Sequence, residues 1–351
     1  MLSRREFLKL GGVTAVAVGA TGCSVVGQEV AQRQLPHTIL PPTAQVDDLA
    51  WRFLNRAGFG PRPGDRQQVQ ALGLEAYLAA QLQPETIDDT AADLIMRHLD
   101  FQQMDISQLL TQEKEDIILE LVGSTLLRAL YSKRQLYEVM VEFWSDHFNI
   151  FVGKNKFMPA LKLVDDRDVI RPHALGKFRD LLFASAHSPA MLVYLDNVRN
   201  TKDESNENYG RELLELHTLG VHAGYAQQDV QEAARALTGL GVRQRGPRQG
   251  QLFFAEQAHD QGEKFILGNR FPPNQGQDDI TQLLEMLVVD EKTAVFIATK
   301  LVRRFVADQP PAALVKRVAQ TYQATDGDIK AMLRVIFLSD EFATAPPKLN
   351  R

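Results

Sequence analysis

The chain has a single cysteine, Cys23, among 351 residues. No intramolecular disulfide can form, whatever the compartment. Thiolate zinc sites, iron–sulfur clusters and haem attached through Cys-x-x-Cys-His are excluded on the same ground. A basic excess is also missing: 39 Lys and Arg stand against 44 Asp and Glu, a net charge of −5. Nucleic-acid binding wants a cationic surface, so that class is set aside. The two tryptophans are few for an aromatic-lined sugar groove. There is no His-Glu-x-x-His, no EF-hand loop and no Gly-x-Ser-x-Gly elbow. The di-iron pattern of Glu-x-x-His pairs is absent too, because the histidine after Glu215 comes at 217, one residue early.

The first residues read MLSRREFLKLGGVTAVAVGATGC. Ser3 to Lys9, with Arg4 and Arg5 at its centre, resembles the twin-arginine (Tat) export signal. A run rich in Gly, Ala and Val follows, too short for a good membrane span. Ala20-Thr21-Gly22-Cys23 resembles a lipobox, with Ala where Leu is usual. It places the one cysteine where a diacylglycerol would be attached. The expectation is a Tat signal peptide with a lipobox-like end over 1–22. The mature chain is then exported by the Tat translocase. It lies on the periplasmic or cell-surface side, membrane-anchored through Cys23. Tat export carries folded proteins, often with a cofactor loaded, which is what the resemblance implies. Loss of 1–22, whose Arg4, Arg5, Lys9 and Glu6 carry a net +2, takes the charge from −5 to −7. Residues 23–48, with Pro36, Pro41 and Pro42, read as a tether.

Residues 49–345 suit one large domain or two closely packed halves. Apolar spacing of three and four predicts helices over 65–83, 113–151, 278–289, 291–307, 311–324 and 326–338. The 113–151 stretch should break near Ser132 and Lys133. Leu72, Leu126, Leu130 and Val295 fall on the apolar faces. Between 241 and 268, glycines and Arg243, Arg245 and Arg248 precede a small β-hairpin, with strands near 251–255 and 264–267. The predicted fold is mainly α, a multi-helical single large domain with that hairpin as an insertion.

The stretch 206–225 reads NENYGRELLELHTLGVHAGY. Three carboxylates, two histidines, an arginine and two asparagines crowd a predicted helix. Asp203 or Ser205 can cap its start and Gly220 can end it. At about 100° per residue, Tyr209, Leu213, Leu216 and Gly220 share one side. Asn208, Glu212, Glu215 and Leu219 share another, with Arg211 at its edge and His217 roughly opposite the carboxylates. Glu212 and Glu215 are one turn apart, so they can hold a cation or share a proton. The plainer alternative is a solvated face with Arg211 pairing Glu215 at i,i+4. His147 lies among Phe143, Trp144 and Phe151. It is either a satisfied core residue or a ligand or proton shuttle oriented by Asp146 or Glu142. His259-Asp260, on a Gly-bounded turn ahead of Lys264, is either a site element or turn chemistry.

WRFLNRAGFGP, FWSDHFNIF, SPAMLVYLDN, NENYGRELLELHTLGV, DVQEAARALTG and HDQGEKFILG occur in that order. Together they resemble the bacterial "domain of unknown function 1800" (DUF1800) family, from about Trp51 to Phe342. The resemblance implies a mainly helical, exported protein, often encoded beside a sulfatase- or alkaline-phosphatase-like exported protein. It adds weight to His147, Asn197, Asn208, Arg211, Glu212, Glu215, His259, Asp260 and Lys264. It implies His or Phe at 217, and Ala is common where Gly210 stands. Two readings of function follow. In one, an enzyme or metal-binding protein uses Glu212, Glu215, His147, His259 and Asp260 as catalytic groups. Glu212, Glu215 and His147 would then bind a divalent metal, and Asn208, Arg211, Lys264 and Asn197 the substrate. In the other, a non-catalytic binding or accessory protein serves the sulfatase/phosphatase-like partner. Its polar cluster is then a buried network that fixes helix packing.

Overall fold

The computed structural model describes residues 48–346 and Lys348. The export signal at Arg4 and Arg5, the lipid site Cys23 and the tether as far as residue 47 lie outside the described residues. Helix accounts for 61% of the described residues, and the only strands among them form two small antiparallel pairs. Among the described residues, no helix is long and apolar enough to cross a membrane.

The chain divides into two compact units. One ends at Met104 and takes back Glu115–Val139; the other holds Asp105–Lys114 and everything from Met140 on. In the first unit, Asp48 caps Leu49–Arg56 by accepting the Ala50 N–H at 2.9 Å. Gly73, at φ +79°, splits the expected helix 65–83 into Asp65–Leu72 and Leu74–Gln81. The expected break near Ser132 separates Lys114–Tyr131 from Gln135–His147. Asp89 fixes it: its buried carboxylate accepts the Ser132 hydroxyl at 2.6 Å and the Lys133 N–H at 2.7 Å. Leu72, Leu126 and Leu130 are exposed rather than core. Lys114–Tyr131 packs instead through Ile117 and the small residues Gly123 and Ser124.

In the second unit the C-terminal helices form close to the expected spans, as Asp278–Val289, Glu291–Phe305, Ala312–Ala324 and Ile329–Phe337. Asp290 and Asp328 cap two of them through the Lys292 and Ala331 N–H groups. Val295, placed in the core by its spacing, is exposed. The hairpin differs more. Residues 252–254 do not pair with 264–266. Leu240–Val242 pairs with Leu252–Phe254, and Lys264–Ile266 pairs with Asn269–Phe271. The second pair closes on a two-residue turn, Leu267 at φ +52° and Gly268 at φ +78°. Positive φ at both turn residues marks the hairpin turn whose twist suits antiparallel strands.

The stretch around 206–225 starts and turns differently from a regular helix. Asp203 and Ser205 stay in an exposed loop, and Asn206 accepts the Asn208 N–H at 3.0 Å to open the helix. One α-turn, Asn208–Glu212, passes into a π-helical segment, Leu213–Thr218. The Leu219 N–H reaches back five residues to the Leu214 carbonyl, at 3.0 Å. The wider turn moves the buried positions to 209/210, 213/214 and 217/218, a spacing of four. Leu216, expected on the side of Tyr209 and Leu213, is therefore exposed while they are buried, and Leu219, expected beside Glu212 and Glu215, is buried. Gly220, at φ +89°, ends the helix as expected.

Gly210 lies where this helix crosses Gln227–Ala236. A Cβ there would come within 2.9 Å of the Ala234 nitrogen and 3.1 Å of the Val230 oxygen, both backbone atoms. Backbone cannot swing aside as a side chain can. Gly210→Ala should cost about 1–3 kcal/mol by overpacking, against at most about 1 kcal/mol gained in helix propensity. Urea denaturation is expected to show a lower midpoint. An unchanged or higher midpoint would remove close approach as the reason for this glycine.

Candidate functional site

The helix formed by Asn208–Glu212 and Leu213–Thr218, the central helix of the site, meets His147 at its end. The Nε2 of His147 is 3.0 Å from the His217 carbonyl, and its Nδ1 is 2.7 Å from the Lys300 Nζ. A carbonyl only accepts, so Nε2 carries the proton and the Nδ1 lone pair accepts from Lys300. His147 thus caps a carbonyl at the end of the helix. Neither Asp146 nor Glu142 orients it: Asp146 is exposed, and Glu142 pairs with Arg304 at 2.7 Å. Trp144, Phe148 and Phe178 surround the ring. Burial, and then the Lys300 charge, hold His147 well below the usual histidine range. The same two causes bring His217 to about 3. His217 is 4% exposed, and its Nδ1 has no hydrogen-bond partner among the described residues. Burial lowers Lys300 to about 8; the Asp146 charge opposes this and Arg303 adds to it.

The polar face of the central helix is a half-exposed network. Arg211 reaches Glu207 at 3.2 Å, Glu215 at 3.5 Å and Gln227 at 2.9 Å. The i,i+4 pair of the plainer reading is present. Burial raises Glu212, with Glu215 adding repulsion and Arg211 opposing. Tyr225 is raised to about 12, by burial first and then by its hydrogen bond to Glu215. Asn208 donates to the Leu195 carbonyl at 3.2 Å. Buried Asn197 donates to the Leu237 and Leu240 carbonyls, at 3.1 and 2.9 Å. Both ring nitrogens of His147 are engaged, so it has no free lone pair to join Glu212 and Glu215 around a cation. Among the described residues, no group of three or more His, Cys, Asp or Glu is placed to hold a metal ion.

His259, Asp260 and Lys264 belong to a second network. His259 is 1% exposed. Its Nδ1 faces the Thr238 carbonyl at 2.8 Å and its Nε2 faces Asp279 at 3.0 Å. Lys264 was expected to face a ligand. Instead it is fully buried, and it donates to the Asp260 carbonyl, the Gly262 carbonyl and the Asp279 carboxylate at 2.6, 2.9 and 2.7 Å. Three donors meet three acceptors, which leaves none for a ligand. Burial alone would raise Asp279, but hydrogen bonds from His259, Lys264 and Gln275 hold it below the usual carboxylate value. Asp260 accepts both arms of Arg235, at 2.8 and 3.0 Å, and the Gly262 N–H at 2.8 Å. Arg235 is the main cause of its lowered pKa. Asp279, Thr238 and Arg235 had no signal in the sequence, since each occupies an ordinary helical or post-helical position.

A cavity of the second unit lies elsewhere. It measures about 700 Å³ and is built from three segments: 154–161, 193–199 and 242–250, with Leu110. Leu161 and Val242 are buried in its floor, beside half-buried Leu110, Phe157, Val193 and Val198. Lys154, Lys156, Arg199, Arg243 and Arg245 line its exposed rim, with Asp196 the one acid. Asp196 pairs with Lys154 at 2.8 Å. Lys156 lies over the Phe157 ring at 4.8 Å and Arg243 over the Phe253 ring at 5.0 Å. Lys156, Arg199, Arg243 and Arg245 have no carboxylate partner among the described residues.

Residues 52–351 match a family described as "Protein of unknown function (DUF1800)". No curated protein and no solved structure matches.

Lys264→Met would leave the Asp279 charge buried with less than its full set of donors. The expected cost is about 3–5 kcal/mol, read as a fall in the denaturant midpoint. A shift under about 1 kcal/mol would show that Lys264 is not needed for the network. His217 predicts a pH dependence. The unfolded chain protonates this histidine near 6.5, the native protein only near 3. Between those values the unfolded state binds the extra proton, so stability is full above pH 6.5 and falls as pH drops toward 3. His217→Phe should reduce the slope of stability against pH from 6 to 4 by up to about 1.4 kcal/mol per pH unit. Parallel wild-type and variant curves would mean that His217 is not buried neutral.

Proposed function

The chain belongs to the DUF1800 family, and we propose that it is an exported, lipid-tethered binding protein that takes a small organic anion in the cationic cleft of its second unit. The observation that carries this is the set of four rim cations without a carboxylate partner, around a 700 Å³ cavity in a chain of net charge −5. Like charges held together repel, and a concave wall focuses their field on whatever enters. An anion relieves that repulsion. The cavity volume is in the range typical of small-molecule sites. Export and tethering rest on Arg4, Arg5 and Cys23 in the sequence. The other candidate groups act within the protein: His147, Asn197, His259, Asp260 and Lys264 are held by hydrogen bonds that order helix ends and a hairpin.

Phenyl phosphate and benzoate, titrated calorimetrically into natively exported protein, test the proposal. Arg243→Gln with Arg245→Gln is expected to weaken binding about tenfold or more, since a charged hydrogen bond contributes about 1.5–3 kcal/mol. Glu212→Gln with Glu215→Gln is expected to leave binding unchanged. If the arginine variant binds like the wild type, the ligand is not in this cleft.

A further inference from the structure

The cleft floor carries information about the rest of the ligand. Building on the anion reading, we infer that the ligand is an amphiphile, an anionic head joined to a hydrocarbon or aryl body. The rim and floor are chemically distinct. The rim has five cations and one acid. The floor, from Leu110 to Val242, is apolar. An inorganic anion would meet only the exposed rim side chains and would gain nothing from the floor. A hydrocarbon body gains about fourfold in affinity for each methylene removed from water.

The local backbone holds both layers in place. The Asn155 carboxamide accepts the Phe157 and Met158 N–H groups, at 2.9 and 3.0 Å, which fixes Phe157 at the start of its helix. Arg243 closes the arginine loop, accepting the Gly250 N–H at 2.8 Å and donating its own N–H to the Gln251 carbonyl at 2.9 Å. Gly250, at φ +82°, lies so close to Ile106 that a Cβ would come within 2.5 Å of it. The loop bearing Arg243 and Arg245 is thereby pressed against the segment that supplies Leu110. Phe157 and Phe253 offer ring faces that hold Lys156 and Arg243 without neutralising them. Lys156, Arg199, Arg243 and Arg245 therefore stand without a carboxylate partner among the described residues above an apolar surface, which is the order of parts in an amphiphile entered tail first.

A chain-length ladder tests this on the wild-type protein. Inorganic phosphate, butyl phosphate, octyl phosphate and octanol are titrated into natively exported protein below the micellar limit. Octyl phosphate is expected to bind on the order of 100-fold more tightly than butyl phosphate if four further methylenes are buried. Octanol is expected to bind far more weakly than octyl phosphate. A flat ladder among the three phosphates overturns the amphiphile and leaves the anion reading standing. Octanol binding as tightly as octyl phosphate, or no binding at all, overturns both. Val198→Asp should flatten the ladder while inorganic phosphate binds as before. A thermal midpoint confirms that this variant is folded, and the wild-type ladder decides the matter if it is not. Vesicles of phosphatidylglycerol that displace octyl phosphate identify a membrane lipid as the source. Vesicles that leave it bound identify a free amphiphile, and the inference holds in both cases.

Discussion

A carboxylate sealed from water must be matched lone pair by lone pair, and the second unit is arranged to meet that demand at Asp279. Its donors come from three places in the chain: His259, Lys264 and Gln275. Gln275 is four residues away, but His259 and Lys264 are 20 and 15 away, so the carboxylate is fully matched only when the segment between Thr238 and the start of Asp278–Val289 is folded back on itself. The helix Gln227–Ala236 holds the same segment from the other side. Asp229 accepts the Leu267 N–H, Glu232 the Phe265 N–H, and Arg235 clamps Asp260. These three residues are spaced by three, so one helical face grips the whole hairpin. Because unpaired buried charge is so costly, such a network favours one arrangement of the segment over its alternatives.

Helices with a strict apolar repeat and a clear stop were legible from the sequence. Asp278–Val289 was readable because acidic residues flank an unbroken apolar face. The break after Tyr131 was readable from Ser132 and Lys133, though not from Asp89, which makes it. The strand pairing was not readable, because the turn that decides it is Leu267-Gly268. Leucine at positive φ is rare enough that no turn rule selects it. The central helix was located correctly, and its faces were not. A 100° step places Leu216 on the side of Tyr209 and Leu213, and the π-turn places it outside. Nothing in the residue types of LLELHT announces the wider turn.

The site was legible in the same uneven way. Residues singled out for their chemistry proved to be chemically engaged, but mostly with the protein's own backbone. His147 holds a helix-end carbonyl, Asn197 holds two carbonyls, and Lys264 holds two carbonyls and a carboxylate. Polar residues with a fixed internal role look the same in a sequence as residues aimed at a ligand. The cleft proposed for the ligand left no signal in the sequence for the opposite reason. Its cations come from three segments far apart in the chain, and each segment alone reads as a polar loop. Only the fold brings Lys156, Arg199 and Arg243 to one rim.

The π-segment has a consequence for any comparison of this helix with another. It accommodates one more residue than the same rise of α-helix, and the surplus emerges as exposed Leu216. A regular helix laid on this one stays in phase up to Leu214 and falls a residue out of step from His217 on. Matching the two needs a one-residue gap between those points. Without that gap, the inward histidine of one chain is set against an outward residue of the other, and a shared position looks like a lost one.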